Sequence, residues 1–163
     1  MKALKAAVAG GADAVYLGAG DFNARSKADN FGSDELRLAV SYCHERGVRV
    51  YLALNTLVKS AETERALALA KDAAAAGVDA FIVQDLALAK LLSEKLPDVP
   101  LHASTQMGVH NKWGAEFCKR AGFDRIIFSR ETLPACNFAE KNILFRVTAD
   151  RNRAICFQQK TCA

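Results

Sequence analysis

Apolar residues in this chain come in two alternating rhythms. Short runs rich in β-branched, aliphatic or aromatic residues follow a Gly or Pro joint: Ala14-Val15-Tyr16-Leu17, Val50-Tyr51-Leu52-Ala53-Leu54, Ala80-Phe81-Ile82-Val83, Leu101-His102 and Ile126-Ile127-Phe128. Between them lie longer stretches in which apolar residues recur at intervals of three and four. One carries Leu36, Ala39, Val40 and Cys43, another Leu88, Leu91 and Leu92, a third Val109, Trp113, Phe117 and Ala121. The short runs predict buried parallel strands, and the wider spacing predicts helices with one face on a core. The joints themselves repeat, as Gly11-Ala12-Asp13, Gly77-Val78-Asp79 and Gly122-Phe123-Asp124, with Gly47-Val48-Arg49 as a variant and Pro97-Asp98-Val99-Pro100 as a fifth. A Gly at such a joint suits the left-handed residue that ends a helix.

The pattern predicts a helix over residues 2–9, then five β/α units starting near residues 13, 48, 79, 100 and 125. Ser33 is the expected cap of one helix, with Asp34 and Glu35 in its first turn, and Ser60 that of a long Ala- and Leu-rich helix stopped by Gly77. Regular β-α alternation implies a parallel sheet with right-handed crossovers. The fold class is α/β, an open sheet or part of a (β/α)8 barrel. A complete barrel takes about 250 residues, so 163 residues hold an incomplete TIM-like one. Polar residues decide for the barrel. They follow every strand, as Asp21, Asn23 and Arg25, then Asn55 and Thr56, Gln84 and Asp85, Ser104 to Gln106, and Ser129 to Glu131. Barrels draw site residues from many strand ends, open sheets from one switch point.

Composition changes the picture little. Hydrophobic residues make up 51%, charged residues 25%, and the net charge is +4, which argues against a dedicated nucleic-acid arm. No run approaches the roughly 18 apolar residues of a membrane span, and the start lacks a secretory apolar region, so a cytoplasmic protein without a membrane partner is expected. Cys43, Cys118, Cys136, Cys156 and Cys162 include no CxxC pair; Cys43 and Cys118 read as core residues, and no metal site is expected. No Lys stands at a strand end for a Schiff base, and neither a phosphate-loop nor an HExxH pattern occurs.

The candidate site therefore comes from the strand ends. Asp85, Ser104 and Glu131 are the residues available for chemistry, and Arg25, Asn55, Gln106 and Arg130 those available to hold a substrate. Arg25 and Arg130 together suit a carboxylate or phosphate on a peptide or small anionic ligand. Each has a plainer alternative. Asp85 and Ser129 can cap helices, Glu131 can complement a helix N-terminus, and either Arg can pair with Asp21 or Glu131. Ser104 two residues from His102 hints only weakly at a serine nucleophile.

Six phrases then stand in order: GADAVYLG at 11–18, FNAR at 22–25, LNTL at 54–57, VQDLAL at 83–88, LHASTQM at 101–107 and FSRE at 128–131. Over roughly residues 1–133 the chain resembles the collagenase-like peptidases, the U-32 family. The resemblance implies a (β/α)8-like barrel and a shared cavity holding Arg25, Asn55, Asp85, Ser104, Gln106, Arg130 and Glu131. It also implies peptide-bond hydrolysis, or alternatively hydroxylation of RNA bases or quinone precursors, with nucleic acid as a partner through resemblance only. Some hydroxylating members carry an iron–sulfur cluster on downstream cysteines, so the cofactor is left unassigned. Family members usually open with a strand before the first helix and continue into a His-Gly-Ala phrase with cysteines. Residues 134–163 carry no such phrase and read as a divergent tail after a 1–133 barrel domain, which makes a shortened, non-catalytic remnant the third alternative. Its Lys141, Arg146, Arg151, Arg153 and Lys160 outnumber Glu140 and Asp150. Open strand edges would favour self-association.

Overall fold

The computed structural model describes residues 1–24 and 30–129, together with the strand backbone at 146–147 and 155–157. Helix α1 (Lys2–Ala9) leads into β1 (Ala14–Gly18), α2 (Ser33–His44), β2 (Arg49–Leu54), α3 (Thr63–Ala75), β3 (Ala80–Val83), α4 (Leu86–Lys95), β4 (Leu101–Ala103), α5 (Lys112–Arg120) and β5 (Arg125–Ile126). Two further short strands, β6 (Arg146–Val147) and β7 (Ile155–Phe157), lie on the same sheet. All pairings are parallel, in the order β6-β5-β4-β3-β2-β1-β7. The five predicted strands are present in sequence order, the first four each followed by its helix, and the tail adds one strand at each edge.

The joint phrase acts as a clamp. After α3, Gly77 takes φ 89°, and after α5, Gly122 takes φ 87°, conformations that a side chain would strain. Two residues later the Asp binds the neighbouring strand twice. Asp79 donates its N–H to the Val50 carbonyl at 2.8 Å, while its Oδ2 accepts the Val50 N–H at 2.7 Å. Asp124 treats Leu101 the same way, at 2.8 and 2.9 Å. Each phrase thus turns a helix and sets the register of the strand that follows. Asp79 also meets His44 Nε2 at 2.8 Å, tying α2 to the same joint.

Alternation along the strands gives the sheet two unlike faces. Val15, Leu17, Val50, Leu52, Phe81 and Val83 belong to one apolar cluster with the helices, which contribute Leu4, Ala39, Cys43, Ala70 and Leu92 among others. The opposite, inner face carries Ala14, Tyr51, Ala80 and Ile82, flanked by Tyr16 and Ile127.

Three local expectations come out differently. The cap of α2 is Gly32, not Ser33, and the Glu35 carboxylate reaches back to the Gly32 N–H at 3.4 Å. Ser60 opens a 3-10 turn instead of capping α3; Glu62 accepts the Lys59 N–H at 3.1 Å and the α-helix begins at Thr63. The Trp113–Phe117 stripe faces outward, 73% and 46% exposed, while Ala115 and Cys118 are buried. Asn111 fixes the start of α5 by accepting the Gly114 N–H at 3.0 Å, and the helix turns its small residues Ala115 and Cys118 to the core. No helix among the described residues is long and apolar enough to cross a membrane.

Candidate functional site

At the C-terminal ends of the strands, the predicted site residues hold main chain. Asp85 stands between β3 and α4. Its Oδ1 accepts the Leu88 N–H at 2.8 Å, capping α4, and its Oδ2 accepts the Val58 N–H at 3.1 Å from the loop after β2. Both oxygens are engaged, so the capping alternative describes its visible role. Asn55 Oδ1 accepts the Ala24 N–H at 3.1 Å, joining the β2 end to the β1 loop. Ser104 is buried after β4, with its Oγ accepting the Gln106 N–H at 3.2 Å and its own N–H donating to the Val83 carbonyl at 2.9 Å. Gln106 is exposed. The structure therefore links the β1, β2 and β3 ends through Asn55 and Asp85. Arg25, Arg130 and Glu131 lie outside the described residues, as does the paired anion grip built on the two arginines. Asp21, the alternative partner offered for Arg25, pairs with Arg65 at 2.8 Å.

One residue of the FNAR phrase has a larger role than its strand-end position suggested. Asn23 is buried and donates from Nδ2 to the Gly20 carbonyl at 3.1 Å and to Asn30 Oδ1 at 3.2 Å. A Cβ on Gly18 would sit 2.6 Å from Asn30 Oδ1 and 2.9 Å from Asn23 Oδ1, so the strand must end in Gly for this pair to close over it.

The inner face holds the groups that the strand-end reading missed. Arg125, on β5, spans the sheet to donate from Nη1 to the Tyr51 hydroxyl on β2 at 3.2 Å. Its guanidinium carbon lies 5.5 Å from the Tyr51 ring centroid, a cation–π distance. His102, on β4, meets the same ring edge-on, with centroids 4.8 Å apart and planes at 75°. Burial pushes the His102 pKa down to about 3, helped by the positive charges of Arg125 and Arg49, so the ring is neutral at pH 7. Among the described residues its Nδ1 is buried without a hydrogen-bond partner, as is Arg125 Nε. Ser104 Oγ is engaged elsewhere, and no His102–Ser104 base–hydroxyl pair forms. The available signal was alternation: Arg49 and Tyr51 share a face, and the registers Ile82↔His102 and His102↔Arg125 carry that face across the sheet.

Residues 1–135 match the model of Peptidase family U32. The chain belongs to that family. Among its relatives it is 39% identical over 77% of its length to the 23S rRNA 5-hydroxycytidine C2501 synthase of Escherichia coli, covering 18% of that protein. It is 38% identical over 78% of its length to an uncharacterized protease of Methanocaldococcus jannaschii, covering 31%. Others are named tRNA hydroxylation protein, as in Bacillus subtilis at 32% identity over 81% of this chain and 31% of the relative, or collagenase, as in Porphyromonas gingivalis at 30% over 80% and 31%. The chain spans less than a third of the length of these relatives. A solved U32 peptidase aligns with a TM-score of 0.57 at 18% identity, over 71% of this chain and 50% of that one, and shares the TIM-barrel-like fold.

For the iron–sulfur cluster of some U32 members, the described cysteines are a poor fit. Cys43 and Cys118 are buried on the helix side of the sheet, and burial raises both thiol pKa values, Cys43 against a smaller lowering by Arg46. Among the described residues, no group of three or more His, Cys, Asp or Glu comes together.

Proposed function

We propose that this chain is the ligand-holding barrel segment of a U32 protein serving RNA-base hydroxylation. The observation that carries this reading is the state of the hydroxyl, carboxylate and imidazole groups. Asp85 and Ser104 bind main-chain N–H groups, and neutral His102 lies against Tyr51 instead of pairing with Ser104. The described residues thus assemble no nucleophile with its base, while donors such as Arg125 crowd the inner face. The 39% identity to an rRNA hydroxylation enzyme points the same way. Peptide-bond hydrolysis is the second reading, supported by the relatives named protease and collagenase. On either reading, residues 1–133 form the barrel part and 134–163 a divergent tail, and action on RNA implies a cytoplasmic setting.

The test is a graft. Residues 1–129 replace the matching segment of the E. coli rRNA synthase in cells lacking that enzyme, and 5-hydroxycytidine in 23S rRNA is measured by nucleoside mass spectrometry. Restored hydroxylation is the expected result. A graft that is made and folded but silent, with gelatin cleavage by the purified 163-residue chain, overturns this reading in favour of hydrolysis.

A further inference from the structure

We propose that the inner face of the sheet binds one small oxyanion, a carboxylate or a phosphate monoester, between Arg125 and Arg49, with Tyr51 and His102 as its neutral partners. This site is separate from the strand-end candidates, and it stands whether the whole protein hydroxylates RNA or cleaves peptides.

The geometry begins with Arg125. Its guanidinium spends Nη1 on the Tyr51 hydroxyl at 3.2 Å, and its buried Nε has no partner. A guanidinium held by one nitrogen keeps another edge available, and that edge matches two oxygens of a planar or tetrahedral anion. His102 is 4% exposed, stands beside Tyr51 and leaves Nδ1 unpartnered. These two buried polar atoms on adjacent strands each lack a partner among the described residues, which an oxyanion would supply. Arg49 supplies the second charge. It occupies the Ala14 register on the Tyr51 side of β2, and its charge is felt at His102.

Charge separates an anion from a water molecule in that place. Neither Arg49 nor Arg125 pairs with a carboxylate among the described residues, whereas Arg46 and Arg65 do. A water completes hydrogen bonds but leaves the charges of Arg49 and Arg125, both half-buried and both felt at His102, without a counter-charge among the described residues. Several inward positions are small. Ala14, Gly18, Ala53 and Ala80 stand on this face, where barrel interiors usually carry bulky branched side chains.

The experiment uses the 163-residue chain at fixed ionic strength, with inorganic phosphate and succinate titrated in separate arms. Calorimetry reads affinity, and the ring signals of His102 are followed by NMR in the same samples. Saturable one-to-one binding in either arm, with the His102 signals moving at the same midpoint, is expected. The arm that binds identifies the anion, and binding in both assigns the shared oxyanion chemistry. Arg125→Gln should weaken binding by about tenfold or more, and Arg49→Gln less. Arg46→Gln, in the exposed turn after α2, should change nothing. Lack of saturation at millimolar anion, or static His102 signals in the unsubstituted chain, overturns the proposal whether or not Arg125→Gln folds. So does equal weakening by Arg46→Gln and Arg125→Gln, which would mean general surface screening.

Discussion

The two faces of the sheet are made by the same strands, one residue out of step, yet they obey different rules. Toward the helices stand Val50, Leu52, Phe81 and Val83, closed over by α2, α3 and α4 in one apolar cluster. Toward the inside stand Arg49, Tyr51, His102 and Arg125, where hydrogen bonds and charge replace close apolar packing. Burial dictates the first face almost completely, since any polar atom there would lose water without a partner. The second face buries Tyr51 and His102 beside half-buried Arg49 and Arg125, and the cost of such buried polar groups is carried where a ligand or a reaction repays it.

The contrast can be broken most strongly at Phe81, fully buried on the helix side. Phe81→Ala should cost about 3–5 kcal/mol, read as a lower urea midpoint with unchanged slope. Ile82→Val, next in sequence on the inner face, should cost only about 0.5–1.5 kcal/mol. Because the two changes remove different numbers of carbons, the faces are compared on loss per carbon removed, and a higher loss per carbon at Ile82 than at Phe81 would erase the distinction between them.

Acid should act through the inner face. His102 titrates near 6.5 when unfolded and at about 3 when folded, so between these values the unfolded chain binds more protons. Stability should therefore be complete above about pH 6.5 and fall as the pH drops toward 3, by up to about 1.4 kcal/mol per pH unit. His102→Gln should flatten that part of a thermal-melt series across pH. An unchanged acid slope in the variant would place the sensitivity elsewhere.

A smaller effect is expected at Asp85. Losing both main-chain bonds in Asp85→Ala should destabilise by about 1–2 kcal/mol, seen as faster amide exchange at Leu88 and Val58. If the graft carrying Asp85→Ala folds but no longer supports hydroxylation, Asp85 has a chemical role beyond its cap. At the low end, Trp113→Ser should change stability by less than about 0.5 kcal/mol, because the ring is already exposed on α5; a large drop in melting temperature would show that the ring is covered in solution.

Most of the helix-side face was legible, because apolar runs and Gly-x-Asp joints carry their own spacing. Asp79 and Asp124 stand in the repeated joints, where their carboxylates act as register clamps. The α5 stripe misled because intervals of four name a helix face without saying which way it points, and Ala115 and Cys118 offered a smaller face on the other side. Arg49 and Arg125 were passed over because each opens a strand, where charge looks like an edge. Only the register across β2 to β5 shows that they share a face with Tyr51 and His102. Asn55, Asp85 and Ser104 are legible as polar strand ends, and the cap at Asp85 with them, but the main-chain partners of Asn55 and Ser104 and the second bond from Asp85 to Val58 depend on how the loops meet.

The position of β7 bears on the order in which the molecule can assemble. Every other register joins strands consecutive in sequence, whereas β7 joins β1, setting Ala14 beside Ile155. During synthesis, β1 to β5 can pair one after another as each emerges, at small loop-closure cost. The outer edge of β1 stays unpaired until nearly the whole described chain has left the ribosome. For that interval it is the place where a chaperone, or a second nascent chain, finds a strand to bind.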